Sequence, residues 1–118
     1  CGRSFGDVRV DMMLARDKQA FLIQGIVLTI AGANVKVPVK AFADLRNPQP
    51  KTMELRTEAG YDRHPWLYIT FAADHVDKSG KGSTRLVYLA WQNGRFVYRG
   101  LKHRRADGQW AFVRTALP

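Results

Sequence analysis

Hydrophobic and polar residues alternate along most of this chain, and an alternation of period two predicts β-strands. "VRVDMMLA" (8–15) sets Val8, Val10, Met12 and Leu14 against Arg9, Asp11, Met13 and Ala15. "AFLIQGIVLTI" (20–30) is apolar on both faces, as a central strand is, with a bulge expected at Gly25. "VKVPVKAF" (35–42) turns Val35, Val37 and Val39 inward and Lys36, Pro38 and Lys40 outward, the pattern of a protected edge strand. "NPQP" (47–50) and "GYDRHP" (60–65) read as loops around "KTMELRTE" (51–58). Then come "WLYITFAA" (66–73), a long flexible connection "DHVDKSGKGS" (74–83), "TRLVYLAWQ" (84–92), "RFVYRGLKH" (95–103) and "QWAFVRTAL" (109–117).

Asn93-Gly94 between two of these segments marks a type I′ hairpin, because both residues tolerate positive φ. A regular two-residue turn then pairs Trp91 with Phe96, Leu89 with Tyr98 and Tyr88 with Arg99. The first two pairs face the core, and the Tyr88/Arg99 face reaches solvent. Short connections favour neighbours in sequence as neighbours in space. The expected fold is all-β: an antiparallel meander of about eight strands forming a small β-barrel, with a two-sheet β-sandwich as the alternative. Residues 1–7 read as a flexible N-terminal tether and 8–118 as a single β domain.

Composition agrees with one globular domain: 118 residues, 46% hydrophobic and 25% charged. The longest apolar run, "AFLIQGIVLTIAGA", is too short to span a bilayer as a helix. A lone cysteine excludes an internal disulfide.

Charge changes the picture more. The net charge is +9, and residues 78–106 hold eight Lys and Arg side chains without one carboxylate. An antiparallel meander sends loops 16–19, 43–50, 74–83 and 104–108 to one pole. Lys78, Lys81, Arg85, Lys102, Arg104 and Arg105 therefore gather near that pole, where their field would steer an acidic partner.

Catalytic motifs are sparse. "SGKGST" (79–84) lacks the glycine spacing and following helix of a phosphate-binding loop. Asp62, His64, Asp74, His75 and Asp77 do not make a metal site. His64 and Asp74 bracket one extended strand, and ten steps at about 3.3 Å hold them roughly 30 Å apart. No metal or cofactor is expected. His75 and His103, at the cationic pole, form an alternative acid–base pair for a small basic ribonuclease. Tyr88, Trp91, Phe96 and Tyr98 among arginines suggest a nucleic-acid-binding domain, although most of them fall on the core face.

Cys1-Gly2 resembles the start of a mature bacterial lipoprotein. The resemblance implies a lipidated Cys1, a periplasm-facing domain and, with a second residue other than Asp, an outer-membrane anchor. The leading expectation is a non-enzymatic cell-envelope lipoprotein that binds an acidic protein. That partner is an envelope-complex component, or an enzyme or toxin for which this chain is the inhibitor or immunity protein.

Overall fold

The computed structural model describes residues 1–59 and 65–117. Asp62, His64 and most of the expected "GYDRHP" loop lie outside the described residues. The nine strands are β1 (Gly2–Phe5), β2 (Val8–Asp17), β3 (Ala20–Ile30), β4 (Ala33–Lys36), β5 (Leu45–Glu58), β6 (Trp66–Val76), β7 (Gly82–Gln92), β8 (Arg95–Arg104) and β9 (Trp110–Ala116). They form one antiparallel sheet in the order β1-β2-β3-β5-β6-β7-β8-β9, with β4 also against β3. The all-β meander is therefore present. The barrel is not: β1 and β9 end the sheet without pairing to each other.

The sheet instead folds over itself. Core side chains come from one arm (Val10, Met12, Ile26, Leu28) and from the other (Ile69, Phe71, Val87, Leu89), and all are buried in one cluster. Each set occupies alternate positions, so apolar burial selects one face of each arm. The strand ladder passes between the arms through a single residue pair, Leu22 with Arg46, beside which Phe21 N donates to Asn47 Oδ1 at 2.9 Å. Closure fails because β1 is short and turns its polar contacts elsewhere. Arg3 Nη1 donates to the carbonyls of Lys51 (3.3 Å) and Met53 (2.6 Å) on β5. The expected tether at residues 1–7 is thus a strand over Gly2–Phe5, paired with Val8–Asp11. Gly6, at φ 63°, makes the reversal possible, and the Cys1 carbonyl accepts from Met12 N at 2.8 Å to extend the ladder.

Three segments depart from the alternation. The β2–β3 ladder skips Gln24, placing the expected bulge beside Gly25 and bringing both Ile23 and Ile26 inward. The expected edge strand 35–42 stops at Lys36, and a 3₁₀ turn follows over Val39–Ala41. Pro38 has no N–H to continue the ladder, and its carbonyl accepts from Ala41 N at 2.9 Å. The corner buries Ala41 and Phe42 and leaves Val39 66% exposed, contrary to its expected inward place. Residues 47–50, read as a loop, lie within β5 but break its ladder to β6 on both sides of Gln49. Asn47 has φ 49°, and Thr52 Oγ1 accepts from Ala72 N at 2.8 Å, so a side chain fills the interrupted ladder.

The 74–83 connection is shorter than expected, since β6 runs to Val76 and β7 begins at Gly82. Asp77 Oδ1 gathers the turn, accepting from Ser79 N (2.9 Å), Ser79 Oγ (2.5 Å) and Lys81 N (3.0 Å). The Asn93-Gly94 hairpin has φ values of 55° and 82°, as type I′ requires. Trp91 pairs with Phe96 as expected, but the next pair is Ala90 with Tyr98. Val97 is an extra residue, and the bulge shifts every later pair by one. Leu89 faces Arg99, not Tyr98, and Tyr88 faces Gly100. Arg99 is consequently carried into the interior, and Tyr98 moves to the outer face.

Candidate functional site

Strand direction alternates through the meander, so the turns at 77–81 and 105–108 lie at the same pole. Lys78, Lys81, Arg104 and Arg105 are gathered there, as the sequence leads one to expect. The sheet divides the other two. Lys102 pairs with Leu86 and Phe112 on the outer face, whereas Arg85, one residue from Leu86, is on the inner face with Ala73. Among the described residues, Lys78, Lys81, Arg85, Lys102 and Arg104 enter no ion pair, while Arg105 meets Asp107 at 3.4 Å. Lys78, Lys81, Lys102 and Arg104 are thus left without a neutralising carboxylate among the described residues, while Arg85 lies on the inner face.

Sequence reasoning missed the aromatic component of this surface. Lys102 Nζ lies 5.0 Å and Arg104 Cζ 5.8 Å from the Trp110 ring centroid. Trp110 is 59% exposed. Cations held over an indole keep their charge available while the ring fixes where they stand. Beside them Phe112 packs edge-on against Tyr88 at 5.5 Å, and Arg114 covers Tyr98 at 4.2 Å. Arg56, Lys102, Arg114, Tyr88 and Phe112, with one carboxylate, Glu58, help to line a cleft of about 340 Å³ on this outer face. Burial, followed by a hydrogen bond to Tyr98, pushes the Tyr68 phenol above its ordinary pKa. Tyr68 stays neutral and acts as a packing group.

A second polar cluster sits on the inner face. Arg99, with a side chain 9% exposed, donates through Nη1 to Asp44 Oδ1 and through Nη2 to Asp44 Oδ2 at 3.2 Å. The same Nη1 reaches the Ala41 carbonyl at 3.3 Å. His75 Nε2 lies 2.9 Å from Asp44 Oδ2. Burial opposes ionisation of Asp44, but the Arg99 hydrogen bond and charge, with His75 adding to them, outweigh it and hold the carboxyl below its usual range. The cluster clasps the 3₁₀ corner to β6 and β8.

The His75–His103 pair is not assembled as acid and base. His75 is committed to Asp44, and β7 runs between the two histidine strands, which puts them roughly 10 Å apart across the sheet. Asp74, His75 and Asp77 also diverge. Asp74 accepts from Thr84 Oγ1 at 3.0 Å, His75 turns to Asp44, and Asp77 caps its own turn. Of the four aromatics read as stacking candidates, Phe96 is buried, Trp91 packs on the core, and Tyr88 and Tyr98 join the outer face. Cys1 at the far edge has an exposed thiol. Compared with known proteins, the chain matches no family model, no curated protein and no solved structure.

Proposed function

We propose that this chain is a binding domain, not an enzyme, and that it recognises an acidic protein through the β8–β9 side of its cationic pole. The observation that carries the reading is Lys102 and Arg104 resting on the exposed Trp110 with, among the described residues, no carboxylate paired to them. Trp and Arg are the side chains most enriched among energetically dominant interface positions. Cations that are unpaired in the free protein also accelerate encounter with an anionic surface. The test is retention of a partner from cell-envelope extract on wild-type protein and on a Lys102→Glu/Arg104→Glu variant. An acidic protein held by wild type and released by the variant is expected. Equal capture by both would overturn the reading.

The anchor belongs to the same proposal: Cys1 carries lipid, and the domain faces the periplasm from the outer membrane. Mass spectrometry of the protein from its native membrane is expected to find an acylated Cys1; an unmodified thiol would remove the lipoprotein reading. The envelope-component and inhibitor or immunity roles are both compatible with this surface, and the identity of the captured protein chooses between them.

A second reading, single-stranded nucleic acid, draws on the outer-face tyrosines Tyr68 and Tyr88, joined by Tyr98 through the Val97 bulge. Stacking needs open ring faces. Tyr98 is only 6% exposed beneath Arg114, and Tyr68 is packed against Trp66, Tyr88 and Tyr98. The open rings beside the cations, Trp110 and Phe112, lie instead along one strand, which suits a protein ligand better.

A further inference from the structure

Resting on the acidic-partner reading, we infer that the outer edge of β9 receives an extended acidic segment of that partner as a tenth strand. The hydrogen-bond phase of β9 opens this edge. Arg105 N donates to Gln109 O at 2.7 Å, and Leu117 N donates to Val97 O at 2.8 Å. Antiparallel ladders alternate, so Ala111, Val113 and Thr115 between those bonds also turn their backbone to β8. The N–H and C=O groups of Trp110, Phe112, Arg114 and Ala116 point away from the sheet. Among the described residues they have no backbone partner.

The other edges are guarded and this one is not: on the side away from β6, the stretch of β5 after Arg46 has its Lys51 and Met53 carbonyls taken by Arg3 and carries Lys51, Glu54 and Glu58. β1 and β4 are four residues each; Arg3 folds β1 against β5, and Pro38 stops β4. β9 offers seven residues with no proline, bulge or lysine, the usual devices against edge pairing. Its side chains also read as an interior strand. Trp110 and Phe112 on the outer face are 59% and 44% exposed, and Val113 on the inner face is 56% exposed. Strands that are apolar on both faces are normally flanked on both sides.

Charge chooses the occupant. Arg114 lies in the row next to an added strand, and Lys102 and Arg104 stand one strand behind, in line with Phe112 and Trp110. The only carboxylate on the β8–β9 hairpin, Asp107, is already engaged by Arg105 and Gln109 N. A second copy would bring two such arrays together, each on a chain of net charge +9. A partner strand of about seven residues, alternating Glu or Asp with β-branched residues, satisfies the backbone edge, sets its carboxylates beside Arg114, Lys102 and Arg104 on the outer face and lays its β-branched side chains against Val113 on the inner face.

The experiment titrates the full chain with a capped seven-residue peptide alternating Glu and Val, following binding by fluorescence and amide exchange. Controls are the same peptide N-methylated along one edge, its Lys/Val counterpart, and a single-stranded oligonucleotide. The Glu/Val peptide is expected to slow exchange at Phe112, Arg114 and Ala116 and to bind at least about tenfold tighter than the N-methylated form. Ala116→Pro, which removes one outward N–H without altering charge, is expected to weaken binding severalfold; if that variant unfolds, the N-methylated peptide alone decides. Equal affinity for both peptides, sensitive to Lys102→Glu/Arg104→Glu, would retain the acidic-partner reading and overturn strand addition. No preference for Glu over Lys peptide would overturn both. Preferential oligonucleotide binding, or a dimer joined through β9, would overturn this choice of occupant.

Discussion

Gly100 pairs with Arg114 across β8 and β9, and the ring of Phe112, diagonal to it, lies so close over the glycine that a Cβ there would collide with its far edge. An aromatic covering a strand glycine replaces the missing side chain with ring contact. Gly100→Ala must displace the ring, but Phe112 is 44% exposed on an edge strand and can swing aside without moving backbone. The expected cost is therefore about 1 kcal/mol, at the low end for overpacking. In a Phe112→Ala background it should vanish, which a double-mutant cycle of urea midpoints would read. Asp44 gives a second residue-scale prediction. Its folded pKa is lowered, so its contribution is fully present above the unfolded value near 3.9 and is lost as pH falls through the folded value. Asp44→Asn leaves the charge of Arg99 uncompensated in the interior. Because the Asp44 side chain is 38% open to solvent, the loss at pH 7 should be about 2 kcal/mol, less than for a fully buried pair. Denaturation at descending pH should show the gap to wild type narrowing below about pH 4.

At the scale of elements, the legible strands are those whose alternation is paid in buried apolar side chains. β2, β3, β6, β7 and β8 stand close to where Val8–Leu14, the 20–30 run and the later segments put them, and β9 does too, although its side chains are mostly exposed. The misread elements carry a different signal. β1 is four residues containing Gly2, Arg3 and Ser4, too polar to register as a strand, and it is held by ladder bonds and Arg3. The Val97 bulge has no glycine to announce it, yet it alone reverses which of Tyr98 and Arg99 is interior. Arg99 then meets Asp44 from 55 residues away, a contact no local pattern encodes. The 77–81 turn shows the same contrast, since its Gly and Lys suggested mobility while Asp77 organises it. The Ser79 hydroxyl is the largest cause holding Asp77 below the ordinary carboxyl range. Order in this turn should persist above the ordinary Asp pKa and fade as pH falls through the lowered one. Asp77→Ala should bring that disorder to neutral pH, seen as faster amide exchange at Ser79 and Lys81 with the rest of β6 and β7 unchanged.

The basic pole was legible at the level of the whole molecule because its cations sit in and beside turns, and a meander sends alternate turns to one end whether or not the sheet closes. Trp110 and the open β9 edge were not, since they depend on the sheet stopping there. The two arms make a body 39 Å in its longest dimension, several times the roughly 8 Å over which charge is screened at physiological salt. Position should then matter more than total charge. Lys102→Glu/Arg104→Glu and Arg9→Glu/Lys36→Glu change the net charge equally, but the second pair lies on the exposed surface of the β1–β4 arm, away from the β2–β3, β6–β7 and β8–β9 turns. Stopped-flow association with the Glu/Val peptide should slow by about tenfold for the first variant and by less than about twofold for the second, at physiological ionic strength. Lowering the salt lengthens the screening distance, so the second variant should lose rate relative to wild type as the far arm begins to contribute. Equal slowing by both variants at physiological salt would mean that the peptide responds to the molecule's total charge, and the β8–β9 pole would lose its place as the recognition surface.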